Sequence, residues 1–307
     1  MKCGPFGTVA ETRRELNAKH TSGHGKAQHM IIDLSGQVAI VTGVGRGIGR
    51  ELVTRLSAEG VTTISVDVDA ADLADVADEL AAEGHDGRQY VGDVRDSARI
   101  RHIVAEVTKE FGRIDLLVNN AGVAGNGNIE TLAEEVWDFA HDVNLKGTFL
   151  MCQAVLPIMK QQRRGRIINA ASFAAIVPSV GSAAYASSKA AVAHFTRALA
   201  GEVGPWNITA NAYAPGMIPT TLNHFTELPH EQQERLLDTL SLREWGAKED
   251  IANLVCFLAS DAARYITGTL IDISGGKLAT QVPRAAYESA AADGQYEFQP
   301  EKWNARA

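Results

Sequence analysis

Tyr185-Ala186-Ser187-Ser188-Lys189 is the stretch whose residue types and spacing most directly suggest chemistry. On a helix, positions i and i+4 share a face, so the phenol of Tyr185 and the ammonium of Lys189 come together. A free phenol titrates near pH ~10, too high for a base working at neutral pH. A neighbouring ammonium favours the phenolate and moves the group toward acid–base work. Ser172 lies 13 residues earlier, just past an apolar run. Its hydroxyl can steady a developing alkoxide. Asn144 stands further upstream in Val143-Asn144-Leu145-Lys146-Gly147. A surface Tyr–Lys pair has the same spacing, so this motif alone decides nothing. His20 and His24 are also four apart, but with no helix signal and no third ligand no metal site is expected.

A second constellation comes earlier in the chain. The apolar run Val38–Thr42 ends at Gly43-Val44-Gly45-Arg46-Gly47-Ile48-Gly49, and a helical stretch follows to about Ala58. A glycine-rich turn opening a helix leaves backbone N–H groups free at the positive end of the helix dipole, which suits a pyrophosphate. The spacing is not G-x-G-x-x-G, whose third glycine would fall on Ile48. It is Thr42-Gly43-(x)3-Gly47-Ile48-Gly49. Tight strand–helix packing would call for similar glycines, and Asp67 sharpens the choice. It closes the next strand, 18 residues after Gly49. A carboxylate there accepts hydrogen bonds from the adenosine ribose hydroxyls and repels a 2′-phosphate. That favours NAD over NADP, with Arg46 as the opposing charge.

Both constellations need a scaffold to position them. Apolar or β-branched runs occur at Val38–Thr42, Thr62–Val68, Arg88–Val91, Ile114–Val118, Arg166–Asn169, Ile208–Ala212 and Thr269–Ile273. Helical patterns separate them. Leu73, Val76 and Leu80 mark one helix; Ile100, Ile103, Val104, Val107 and Phe111 mark another. A long helical region runs from about Ala133 to Gln162, bent at Pro157, and Tyr185–Val203 and Glu249–Ala259 follow. The alternation predicts an α/β fold, a doubly wound parallel sheet (Rossmann fold) in a single domain. The domain is expected over residues 34–276, with an N-terminal extension at 1–33 and a C-terminal tail at 277–307.

In order and spacing, these motifs resemble the single-domain type of the short-chain dehydrogenase/reductase family. The resemblance covers about Leu34 to Gly276. It rests on Gly43, Gly47 and Gly49, Asp93-Val94, Asn119-Asn120-Ala121-Gly122, Asn144, Ser172, Tyr185 and Lys189, then Pro215-Gly216 with Thr220, and Gly275-Gly276. It implies an oxidoreductase that interconverts a secondary alcohol and a ketone by hydride transfer with a nicotinamide cofactor. Tyr185 would be the general acid/base and Ser172 would bond the substrate oxygen. Lys189 would hold the nicotinamide ribose, and Asn144 would support a water relay. The cofactor would also meet Gly43, Arg46, Gly47, Ile48 and Gly49, with Asp93 and Val94 flanking the adenine. Asn119, Ala121 and Gly122 would pass beside the adenosine ribose. Pro215, Gly216 and Ile218 would add contacts, and Thr220 would bind the carboxamide. The helices carrying Asn144 and Tyr185 look like the family's dimer-forming pair, and Ala190, Ala191 and Ala193 would permit close approach. A homo-oligomer, a tetramer, is therefore expected.

Departures from the family pattern bear on the substrate. Phe173 and Ala175 flank the catalytic hydroxyl in Ala171-Ser172-Phe173-Ala174-Ala175, where relatives often carry Ser-Ser. Met217–Trp245 takes the position of a substrate lid and includes His224, Phe225, His230 and Trp245. With Asn126 and Asn128 nearby in sequence order, the mouth reads as polar and suits a small-molecule polyol, sugar or hydroxy-ketone. The alternative is a 3-oxoacyl-[acyl-carrier-protein] reductase-like enzyme using NADPH, for which Lys160, Arg163, Arg164 and Arg166 would dock an acidic carrier. Cations at a helix C-terminus explain the same cluster through the dipole. A remote alternative is a non-catalytic NAD(H)-binding or scaffold protein, which the retained Ser172, Tyr185, Lys189 and Asn144 oppose.

Composition narrows the partners. The 307 residues carry a net charge of −8, which opposes nucleic acid and anionic membrane as partners. No apolar run approaches the ~20 residues of a membrane span, and the first thirty residues lack an apolar signal core. Cys3, Cys152 and Cys256 are odd in number and widely spaced, which fits a reducing cytoplasm. Tyr287, Tyr296, Phe298 and Trp303 concentrate aromatics in the tail. Such rings anchor an irregular segment, so the tail is expected to pack on the domain or on a neighbouring subunit.

Overall fold

Seven parallel strands set the frame: β1 (Val38–Thr42), β2 (Thr62–Asp67), β3 (Gly87–Val91), β4 (Leu116–Asn119), β5 (Gly165–Ala170), β6 (Ile208–Pro215) and β7 (Leu270–Ile273). They are ordered β3-β2-β1-β4-β5-β6-β7 in one sheet. The computed structural model describes residues 32–221, 223, 225–277, 279–292 and 294. Cys3, His20, His24, His224, Tyr296, Phe298 and Trp303 lie outside the described residues. Every residue of β1, β4 and β5 is buried, as expected where helices cover both faces of a parallel sheet.

The helices are α1 (Gly47–Ala58), α2 (Ala70–Ala82), α3 (Ser97–Phe111), α4 (Glu134–His141), α5 (Thr148–Gln162), α6 (Ala183–Val203), α7 (His230–Leu237), α8 (Lys248–Ala259) and α9 (Arg284–Ala292). Local chemistry starts and stops several of them. Asp69 and Asp96 cap α2 and α3 by accepting two backbone N–H bonds each. Gly112 ends α3 in the left-handed conformation, at φ 70°. Leu52, Val53 and Leu56 of α1 and Ile251 and Val255 of α8 share one core cluster. Ile103 and Val107 of α3, Val155 of α5 and Leu199 and Val203 of α6 share another. Chain order reverses between β1 and β4, so the crevice for a ligand opens there, beyond the carboxyl ends of the strands.

Three expectations change in detail. β4 starts at Leu116 rather than Ile114, because both backbone groups of Ile114 bond the Gln162 side-chain amide, each at 2.8 Å. β6 continues to Pro215, held there by pairing of Ala212–Pro215 with Leu270–Ile273. The long helical region is interrupted by a π-helical turn, Asp142–Gly147, which carries Asn144. α7 and α9 are helices within the segments read as lid and tail.

Candidate active site

β1 hands the chain to the glycine-rich turn, and the turn shapes the floor of the crevice. Gly43 has φ 69°, and a Cβ there would lie 2.6 Å from Ala121 Cα. Arg46 precedes α1 without a side-chain cap, so the first N–H groups of that helix remain available to an anion. This fits a dinucleotide pyrophosphate. Asp67, at the end of β2, accepts the Gly45 N–H at 2.8 Å and the Asp69 N–H at 3.1 Å. The opposing cation, Arg46, pairs with Asp72 at 3.2 Å.

A cleft of about 1050 Å³ joins these groups to the catalytic candidates. Gly43, Arg46, Gly47, Ile48, Asp67, Asp93, Val94, Ala121, Gly122, Ser172, Tyr185, Lys189, Pro215, Gly216, Ile218 and Thr220 all line it. Asp93 is less free than its position suggests. Arg95 grips its carboxylate at 2.6 Å and holds it below the usual carboxylate range.

Gly49, Asn119 and Asn144 stand behind the residues that line the cleft, which for Asn144 agrees in position with a supporting rather than a contacting role. Gly49 is a packing glycine, since a Cβ would collide with the Gly43 carbonyl. Asn119 is buried under the floor and donates to Asn169 Oδ1 at 2.8 Å. Its neighbour Asn120 is the residue that lines the cleft. Asn144 sits behind the lining and grips the Val123 backbone at two points, accepting its N–H at 2.8 Å and donating to its C=O at 3.0 Å. It also donates to Ser188 Oγ at 2.9 Å. The π-helical turn thus places Asn144 as a brace; such turns often mark functional positions.

Tyr185 and Lys189 stand on the first turns of α6, with the Lys189 ammonium 5.8 Å from the Tyr185 ring centre. Lys189 Nζ donates to the Ala170 carbonyl at the end of β5, at 2.8 Å. Burial lowers its pKa to about 8. Tyr185 keeps part of its ring at the cleft surface, yet its surroundings desolvate the phenol and raise its pKa, opposed by a hydrogen bond with Ser172. The pull toward phenolate expected of Lys189 joined by an oxidised nicotinamide therefore has to act against this burial. Without the cofactor, desolvation is the larger influence on the phenol. Ser172 accepts the Ala174 N–H at 3.1 Å, at the start of the short turn Phe173–Ala175.

Sequence reasoning missed Tyr213. Buried on β6 and bordering the cleft, it donates to Asn120 Oδ1 at 3.1 Å. Asn120 Nδ2 in turn donates to the Gly43 carbonyl at 2.9 Å. A tyrosine in an apolar strand gives no signal until its hydroxyl finds a partner. The basic cluster resolves into structural roles. Arg166 is buried against Asp261 at 3.1 Å, Arg164 meets the same carboxylate at 2.9 Å, and Lys160 covers the Trp206 ring at 4.1 Å.

Fold and cleft together define a dinucleotide-dependent oxidoreductase of the doubly wound class, and comparison with known proteins makes the class specific. Residues 43–277 match the family model described as enoyl-(acyl carrier protein) reductase. A 3-oxoacyl-[acyl-carrier-protein] reductase of Thermotoga maritima is 39% identical over 245 residues, covering 79% of this chain and 98% of that protein. A (2S)-[(R)-hydroxy(phenyl)methyl]succinyl-CoA dehydrogenase subunit of Thauera aromatica is 39% identical over 244 residues, covering 80% and 97%. The crystal structure of levodione reductase superposes with a TM-score of 0.77 at 34% identity, covering 80% of this chain and 99% of that one. The chain belongs to the short-chain dehydrogenase/reductase family.

Proposed function

We propose that the chain interconverts a secondary alcohol and a ketone, with Tyr185 as the proton donor and acceptor, in a single catalytic domain at residues 34–276. The observation that carries this is the meeting of Ser172, Tyr185 and Lys189 in one cleft with the uncapped start of α1. A bound nicotinamide would supply or accept the hydride. Ser172 and Tyr185 would hold the substrate oxygen. Lys189 would hold the nicotinamide ribose and lend positive charge beside the phenol. Asn144 would keep the Val123 segment, and with it the wall of the cleft, in place.

Asp67 supports NAD as the partner, because its carboxylate opposes a 2′-phosphate and the opposing cation in the lining, Arg46, pairs with Asp72. For the substrate, two readings stand. The names of the two relatives favour a 3-oxoacyl or 3-hydroxyacyl thioester over the free polyol, sugar or hydroxy-ketone read from the sequence. Asn126, Thr221 and Asn223 in the lining favour the polar small molecule. Of the arginines invoked to dock a carrier, Arg164 and Arg166 are engaged by Asp261, whereas exposed Arg163 reaches only the Pro205 carbonyl at 3.4 Å. We further read the protein as a cytoplasmic homo-oligomer, a tetramer by its family resemblance, whose buried Cys152 and Cys256 stay reduced.

The deciding experiment is turnover of thioester and free-ketone panels with NADH and NADPH, run beside Tyr185→Phe. A drop of about 100-fold or more in the folded variant is expected from loss of the acid/base. Unchanged turnover in that variant would falsify the assignment.

A further inference from the structure

The loop after β4 carries a polar side chain to the catalytic end of the cleft. Backbone contacts on both sides of Asn126 bind this loop to the residues that open α6. A Cβ on Gly125 would lie 3.0 Å from Ala184 Cβ and 3.6 Å from the backbone nitrogen of Tyr185. Gly127 N–H donates to the Gly181 carbonyl at 2.8 Å, and Gly127 forms a parallel bridge with Ser182. Asn126, held between these contacts, is exposed and lines the same cleft as Ser172 and Tyr185.

Among the described residues three carboxamides line the cleft, those of Asn120, Asn126 and Asn223. Asn120 is spent on the floor, donating to the Gly43 carbonyl at 2.9 Å and accepting from the Tyr213 hydroxyl at 3.1 Å. Asn223 is spent on its own loop. It donates to the Ile218 carbonyl at 2.7 Å and accepts the Thr220 N–H at 3.2 Å. The Asn126 side chain has no hydrogen-bond partner among the described residues. It keeps two N–H donors and a carbonyl acceptor for a bound molecule. A ligand that displaces water from such an amide without replacing the hydrogen bond leaves it unpaired, so the site rejects an analogue lacking the matching group.

We propose that Asn126 is a specificity-determining residue that hydrogen-bonds a second oxygen of the substrate, close to the reacting carbon. The substrate class is then a hydroxy-ketone or a 3-oxo ester or thioester rather than a simple ketone. This rests on the alcohol–ketone reading above and names the substrate class of that same cleft. A hydroxyl and a carbonyl oxygen share the chemistry that the amide recognises, and matched probes separate them. The first pair is 3-hydroxy-2-butanone and 3-methyl-2-butanone, in which a methyl group replaces the hydroxyl. The second is methyl acetoacetate and 4-methoxy-2-butanone, which lacks the ester carbonyl oxygen.

KM and kcat are measured for wild type, Asn126→Leu and Asn126→Asp with each probe. In Asn126→Leu, kcat/KM should fall about 10-fold for the member of one pair that carries the second oxygen, chiefly through KM. The member without it should be nearly unaffected, which also reports that the variant is folded. The carboxylate of Asn126→Asp accepts but does not donate. Retained activity on the hydroxy-ketone in that variant identifies a substrate hydroxyl as the partner, and loss of the acetoacetate preference identifies a carbonyl. Equal effects of Asn126→Leu on both members of both pairs would overturn this proposal and leave the hydride-transfer reading standing. Absence of turnover of any ketone with either dinucleotide would overturn both.

Discussion

Lys189 shows how one residue is placed for chemistry at the expense of the fold. Its ammonium is buried beside Tyr185, and its pKa is lowered to about 8. Between that value and the ordinary lysine range, the unfolded chain binds more protons than the folded one. Stability contributed by this group therefore rises as pH climbs from about 8. At neutral pH, Lys189→Met should stabilise the protein by about 1 kcal/mol while removing activity, a trade-off common at active sites. Thermal melts with parallel assays check both halves. Tyr185 titrates in the other direction. Because its phenol is raised, alcohol oxidation should accelerate as pH rises through neutrality, and the gain should flatten where Lys189 loses its proton. Ketone reduction, which uses the protonated phenol, should show no such rise. At the cofactor end, Asp67→Ser should shift kcat/KM toward NADP by about 10-fold or more, since it removes a like charge from the 2′-phosphate position. A variant with the wild-type cofactor ratio would defeat the reading of Asp67.

At the scale of elements, the site depends on joints between strand ends. Tyr213 on β6, Asn120 after β4 and Gly43 after β1 form one chain of hydrogen bonds beneath the cleft. Tyr213→Phe keeps the packing and removes the hydroxyl at the head of that chain. We expect about 1 kcal/mol of destabilisation and a several-fold weaker dinucleotide Kd, measured by titration calorimetry. A loss of stability with unchanged Kd would assign Tyr213 to packing alone. The π-helical turn and α6 form the second joint. His141 Nε2 lies 3.1 Å from Ser187 Oγ, and Asn144 reaches Ser188, so α4 and the π-helical turn are both tied to the turn of α6 that follows Tyr185.

For the whole molecule, the tail and the outer helix surface matter. Tyr287 of α9 donates to the Ser241 carbonyl at 2.6 Å and Arg284 meets Asp238, so these two residues join the described part of the tail to the domain, while Tyr296, Phe298 and Trp303 lie outside the described residues. Removing residues from Arg284 onward should lower the melting temperature, by roughly 2–4 °C for each kcal/mol that α9 contributes to stability. A truncated protein with unaltered melting and kinetics would refute a structural role for α9. On the helices either side of the Asn144 turn, Val136 and Trp137 of α4 and Phe149 of α5 leave 38–42% of their area exposed. A second copy is the occupant expected from the family resemblance. Sedimentation should show an oligomer for the wild type and smaller species for Phe149→Asp.

The sequence alone determined the layout. Strand–helix alternation, glycine spacing and the order Ser172, Tyr185, Lys189 are local patterns, and each places its residue at a strand end or helix start without tertiary knowledge. Only the tertiary structure decided which neighbours face the cleft. Asn119 and Asn120 are adjacent, yet one is under the floor and the other lines the cleft, because successive side chains at a strand end point to opposite sides. Asn144 reads as a helical residue until the π-helical turn sets it against Val123. The sign of the Tyr185 shift depended on desolvation by groups distant in the chain. Lys277 lies 104 residues from Phe173 in sequence and 5.0 Å from its ring in space. Such long-range proximity and burial have no local periodic signature, and they decide the charge state and reach of the groups the motifs supply.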